Sequence, residues 1–181
     1  MKEKHQFTLV LNINEPTDEL ENKLFEGGFD DSLLFFKGQT GYVDIEREAG
    51  DFETAILEAI KEVEALGIKV GGVEPGDFVT AAEIARRLGR SKESVRLLIS
   101  GERGQGGFPV PVAGVTGNTK IWRWSEVLDW LKSHQKLPDI NLLSKAYTIR
   151  EVNESLAVRE NPGVYKKVMK LVDKLNDQQT L

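Results

Sequence analysis

The chain has 181 residues, 40% of them hydrophobic, 29% charged and none of them cysteine, which excludes a disulfide framework, a thiolate metal site and a disordered chain. No apolar run approaches the ~20 residues that span a bilayer, and no signal-peptide core follows Met1-Lys2-Glu3-Lys4-His5, so a leaderless, bacterial-type cytoplasmic protein without a membrane partner is expected. The net charge of −5 is unevenly spread: residues 1–76 carry 7 basic and 17 acidic side chains, residues 77–135 carry 9 and 6, and residues 136–181 carry 8 and 6.

Only the middle and the end of the chain therefore favour a phosphate backbone. The acidic first segment opens with Phe7, Leu9, Leu11 and Ile13 at period two, the mark of a half-buried strand. Pro16-Thr17-Asp18-Glu19 starts a helix whose inner face is read as Leu20, Leu24 and Phe25, ended by Gly27-Gly28. Residues 33–36 and 42–45 flank Gly38-Gln39-Thr40-Gly41 as a hairpin. Phe52, Ala55, Ile56, Ala59, Ile60, Val63 and Leu66 keep a helical stripe closed by Gly67, and residues 68–73 make a last strand. The order strand, helix, strand, strand, helix, strand predicts a ferredoxin-like βαββαβ domain over residues 1–75, an arrangement that assigns no function by itself. Glu74-Pro75-Gly76-Asp77 reads as a linker, and the charge changes sign across it.

The second segment, residues 77–135, carries the pattern that bears on function. Thr80-Ala81-Ala82-Glu83 is a capping box, in which the hydroxyl and the carboxylate each satisfy a backbone N–H at a helix start. Ile84, Ala85 and Leu88 face inward on that helix, and its alanines let a second helix cross closely. Gly89 supplies the left-handed exit and Arg90 occupies the turn. Ser91 caps the second helix, with Val95, Leu98 and Ile99 inward and Lys92, Glu93, Ser94 and Arg96 outward near its start. Such an outer face suits a major groove: Arg96 can reach guanine in bidentate fashion, and Lys92 suits a phosphate.

Gly101–Gly107 lacks the Gly-Lys-Ser/Thr ending of a phosphate loop, so it reads as a flexible connection. A turn at Thr116-Gly117-Asn118-Thr119 joins residues 112–115 to 120–124 as a two-stranded wing, whose tip offers Asn118, Thr119 and Lys120 to the DNA backbone or minor groove. Ser125 then caps a third helix, and Trp122 and Trp130 read as core, with Trp124 less clearly so.

The run VTAAEIARRLGRSKESVRLLISG, followed by FPVPVAG and KIWRWSEVLDWL, resembles the excisionase and AlpA-type winged helix-turn-helix domains, relatives of the MerR DNA-binding domain. The resemblance covers residues 78–131. It implies that the second helix and the wing contact DNA, which places those roles on Lys92, Ser94, Arg96 and Lys120. The connection Glu102–Gly107 is longer than the usual one.

The third segment, residues 136–181, reads as a helical tail. A capping box at Thr148-Ile149-Arg150-Glu151 opens one helix, Asn161-Pro162-Gly163 breaks it, and Val164, Val168, Leu171 and Leu175 line the last. The fold class expected is thus α+β: a ferredoxin-like domain, a winged helix-turn-helix domain and a helical tail that could dimerise the chain.

The function expected is a transcriptional regulator, antitoxin-like or of mobile-element type. It would bind double-stranded DNA as a homodimer, need no cofactor or metal, and offer its acidic domain to a basic protein partner. Two other readings compete. One is a winged-helix adaptor that docks protein without binding DNA. The other is a carboxylate-dependent enzyme in the acidic segment, although the two histidines, His5 and His134, lie in different segments and no carboxylate spacing points to a metal.

Overall fold

The structure, a computed structural model, describes residues 2–29, 32–104, 106–134 and 139–177. Leu137-Pro138, at the start of the third segment, and Gln105 of the glycine-rich connection lie outside the described residues.

Four strands, β1 (Glu3–Leu11), β2 (Leu33–Lys37), β3 (Thr40–Ala49) and β4 (Val70–Glu74), form one sheet in the order β2-β3-β1-β4, antiparallel at every step. Alternation decides which side is dry. Phe7, Leu9 and Leu11 of β1 are buried, and Ile45 and Val43 of β3 stand opposite Phe7 and Leu9. The intervening positions form a polar face, where Lys4 and Gln6 bond Glu46 at 2.6 and 2.9 Å.

Helices α1 (Asp18–Glu26) and α2 (Phe52–Ala65) join the dry side. Thr17 and Asp51 cap them by accepting from the Leu20 and Thr54 N–H groups. Ala55, Ile56, Ala59, Ile60 and Val63 of α2 are all buried. In α1 the stripe is narrower than expected: Leu20 and Leu24 are buried, but Phe25 is 69% exposed. One residue past Leu24 is a rotation of about 100°, enough to carry Phe25 off a stripe one residue wide.

A second core lies beyond the sheet. Strands β5 (Phe78–Val79) and β6 (Trp122–Arg123) pair antiparallel, and with them stand α3 (Ala81–Arg87), α4 (Lys92–Ile99) and α5 (Trp124–Ser133). Ile84, Ala85, Val95, Leu98, Val127, Leu128 and all three tryptophans are buried there. Ser125 does not cap α5, because the helix already begins at Trp124 and Ser125 is itself buried. The cap comes from 48 residues away. Asp77 is 5% exposed, its carboxylate accepts from the Ser125 N–H at 2.7 Å, and its carbonyl accepts from the Trp124 N–H at 2.6 Å. Arg123 lies 3.4 Å from the same carboxylate, which gives that buried charge a partner.

The remaining helices are α6 (Ile140–Glu160) and α7 (Pro162–Asp177). The Thr148–Glu151 pattern opens no helix: it sits inside α6, which starts at Ile140 with Asp139 as its cap. One stripe of α6 serves both cores. Leu143 and Ala146 pack with the second core, and Ile149, Val152 and Leu156 pack under the sheet and α2. Asn153, beside that stripe, accepts from the Val73 N–H at 2.7 Å and donates to the Val73 carbonyl at 2.9 Å. Its amide thus takes the place of a neighbouring strand along the free edge of β4. No residue of α7 is buried.

Candidate nucleic-acid interface

The α3–α4 pair is held by local bonds that the sequence spells out. The Thr80 hydroxyl accepts from the Glu83 N–H at 3.2 Å, and the Ser91 hydroxyl accepts from the Ser94 N–H at 3.1 Å. Gly89 sits between them at φ +60°, a conformation that costs a side chain-bearing residue about 1 kcal/mol or more. The Arg90 N–H then reaches back to the Ala85 carbonyl at 2.9 Å. Val95 and Leu98 anchor α4 inward, which leaves Ser91, Lys92, Glu93 and Arg96 exposed and Ser94 half-buried.

Arg96 is not a free cation. Its guanidinium donates to both oxygens of Glu93 at 2.9–3.1 Å and to Glu102 at 3.1 Å. Hydrogen bonds to Glu93 and then Glu102 raise its pKa above the ordinary arginine value, and the same bonds hold both carboxyls below the usual carboxylate range. Glu83 binds Arg86 at 2.5 Å and Arg87 at 3.2 Å. Arg87 also lies over the Trp124 ring at 5.4 Å, so it faces the core rather than a phosphate. Lys92 and Lys120 have no ion pair among the described residues.

The segment after α4 is pinned, not loose. The Arg103 N–H donates to the Leu97 carbonyl at 3.0 Å, the Trp130 indole to the Gly106 carbonyl at 3.1 Å and the Trp122 indole to the Pro109 carbonyl at 3.0 Å. Phe108 meets the Trp130 and Trp122 rings edge-on, with centroids 5.1 and 6.3 Å apart. The chain then turns through one bridge, Ala113 to Ile121, in place of the longer two-stranded ladder the sequence suggests. Residues 122–123 do not extend that ladder; they pair with Phe78–Val79. Gly114 is at φ +70°, and a Cβ there would run into the Thr119 carbonyl, so only glycine fits this tip. Asn118, Thr119 and Lys120 are exposed on it.

The seven expected site residues thus fall into two groups, all exposed but the half-buried Ser94, one on the first turns of α4 and one on the 114–120 loop. No hydrogen bond or ion pair joins the groups among the described residues. Glu102 and Asp77 were missed by the sequence reading. Glu93, three residues before Arg96, was a legible partner, but Glu102 lies beyond the end of α4 and Asp77 is tied to α5 only through the fold.

No helix among the described residues is long and apolar enough to cross a membrane, and no cluster of three or more histidines or carboxylates placed to hold a metal occurs among them. No family model, no curated protein and no solved structure matches the chain.

Proposed function

We propose that the chain is a sequence-specific duplex-DNA-binding protein, a transcriptional regulator of the excisionase/AlpA-type, MerR-related winged-helix class. The observation that carries this reading is the capped α3–α4 pair, turned through a left-handed Gly89, with the outer side of α4 open from Ser91 to Arg96. On this reading α4 is the recognition helix and the 114–120 loop is a short wing, with Asn118, Thr119 and Lys120 along the backbone or minor groove. The strand order β2-β3-β1-β4, with two helices on the dry side, supports a ferredoxin-like first domain.

A single module of this size has little affinity at physiological salt, so a homodimer reading two half-sites is proposed, with α7 joining the subunits. Val164, Val168, Leu171 and Leu175 are 59%, 46%, 57% and 65% exposed, an apolar stripe that calls for a partner. The acidic sheet domain would meet a basic protein, as in a toxin–antitoxin or mobile-element operon. The assigned role is binding, not catalysis.

The test is selection of duplexes from a random library at a fixed salt concentration, followed by fluorescence anisotropy on the selected site and on arbitrary DNA. One motif should be enriched. Arg96→Ala should weaken the selected site roughly tenfold to a hundredfold and arbitrary DNA far less. Equal losses on both would reduce Arg96 to a backbone contact, and no enrichment would remove sequence specificity.

A second reading has its own observation. Val110, Val112 and Val115 are 80%, 46% and 62% exposed on the segment leading into the tip. A protein-docking adaptor would use that apolar strip. Folded protein that binds no duplex even at low salt would favour it.

A further inference from the structure

Of the nine arginines, Arg90 and Arg103 are the two with no carboxylate in reach among the described residues, whereas Arg47, Arg86, Arg87, Arg96, Arg123, Arg150 and Arg159 are all paired. The two flank α4 in sequence and line one open hollow of about 510 Å³ beside it, with Ser91, Ser94 and Leu98. Both are set there by their backbones. The Arg90 N–H is held by the Ala85 carbonyl at 2.9 Å and the Arg103 N–H by the Leu97 carbonyl at 3.0 Å. Gly101 and Gly104, on either side of Arg103, have φ of +75° and +94°, turns that bring this residue back against the helix it has just left.

The chemistry of the hollow is that of an anion with several oxygens. Guanidinium groups present planar forks of N–H donors, and two of them at one concave site match a phosphodiester better than a lone carboxylate. Ser94 adds a hydroxyl, and buried Leu98 gives a dry floor. Arg96 differs in kind: before it could meet a ligand it would have to leave two carboxylates, while Arg90 and Arg103 have no carboxylate to release among the described residues.

We infer that Arg90 and Arg103 clamp one backbone phosphodiester of duplex DNA in this hollow and so fix the register of α4 on the duplex. The inference rests on the proposed DNA-binding function, and it moves the backbone contact from the exposed first turn of α4 to a residue pair that straddles the helix. A phosphate contact carries affinity but no sequence information, so its signature is a loss shared by all duplexes.

The experiment uses the full chain and fluorescence anisotropy over a salt series, on a short duplex of arbitrary sequence and on the selected site. Arg90→Ala and Arg103→Ala should each weaken both duplexes by a similar factor, roughly tenfold, and each should lower the slope of log K against log salt by about 1. The Arg→Lys variants should keep most of the slope. Thermal melting should not move, since neither side chain makes a hydrogen bond or ion pair among the described residues; a variant that melts early is replaced by its Lys counterpart, whose lost fork alone should weaken both duplexes. An unchanged slope in the double Ala variant, with wild-type binding intact, overturns the clamp and leaves the DNA-binding function standing. A loss confined to the selected site also overturns it, because the pair would then be reading bases. A wild-type chain that binds neither duplex sinks the proposed function, and the clamp with it.

Discussion

Arg96 has two sets of suitors, the carboxylates that hold it and the base edge or phosphate that the proposed function offers it. The balance is testable by removing one carboxylate. Glu102→Gln keeps an amide oxygen that can accept from Arg96 but removes one negative charge next to the approaching backbone, so duplex affinity should rise roughly threefold to tenfold, the scale of one charge acting at contact distance through water. Anisotropy at a single salt concentration measures it, and an unchanged affinity would show that Arg96 stays on Glu93 in the complex.

The sign of the pH effect follows from the lowered carboxyls. A carboxyl with a depressed folded-state pKa adds stability above its ordinary range and loses it as pH falls through the lower folded value. Mild acid therefore does not free Arg96. The Glu102 variant loosens it at neutral pH, leaving Glu93 as its carboxylate partner. Half of this site was legible, because Glu93 and Arg96 are one helical turn apart. The other half depends on where the Gly101 turn sends Glu102, which no spacing rule encodes.

Elements whose pattern is local could be read directly. Period-two burial in β1, the stripe of α2 and the caps at Thr80 and Ser91 all follow from side chains within a few residues of each other. Helix α6 could not be bounded in this way. Thr148 and Glu151 have the spacing of a capping box, yet the apolar stripe Leu143, Ala146, Ile149, Val152 and Leu156 runs through them without a break. The stripe was the stronger signal, since it requires a continuous helix while a Thr-x-x-Glu pattern requires nothing.

Asn153 on the same helix supports a prediction about β4. Asn153→Ala leaves the Val73 N–H and carbonyl without their protein partner and should lower stability by about 1–3 kcal/mol, read from the denaturant midpoint at constant slope. A midpoint that does not shift would mean that water serves the strand edge as well as the amide does.

Across the whole molecule, the charge changes sign at residues 74–77, but the way α6 joins the two cores was not legible in the sequence. Cutting after residue 135 removes five buried α6 residues, of which the larger ones are worth about 1.5–3 kcal/mol each, against a total stability of about 5–15 kcal/mol. Residues 1–135 should therefore lose cooperative unfolding. Cutting after Asn161 removes α7, none of whose residues is buried, so residues 1–161 should keep the melting transition of the full chain. If α7 joins two copies, the same truncation should sediment as a monomer beside a dimeric full chain, and a truncated chain that stays dimeric would hand the interface to the sheet domain.

A helix built into two cores is also a stiff rod. Val152 under the sheet and Leu143 in the second core lie on one unbroken helix, about 13 Å apart along its axis, with no hinge between them to absorb a movement. A protein that pressed on the sheet hard enough to shift α6 would transmit that displacement lengthwise to the packing around α5, as a push on one end of a bar is felt at the other.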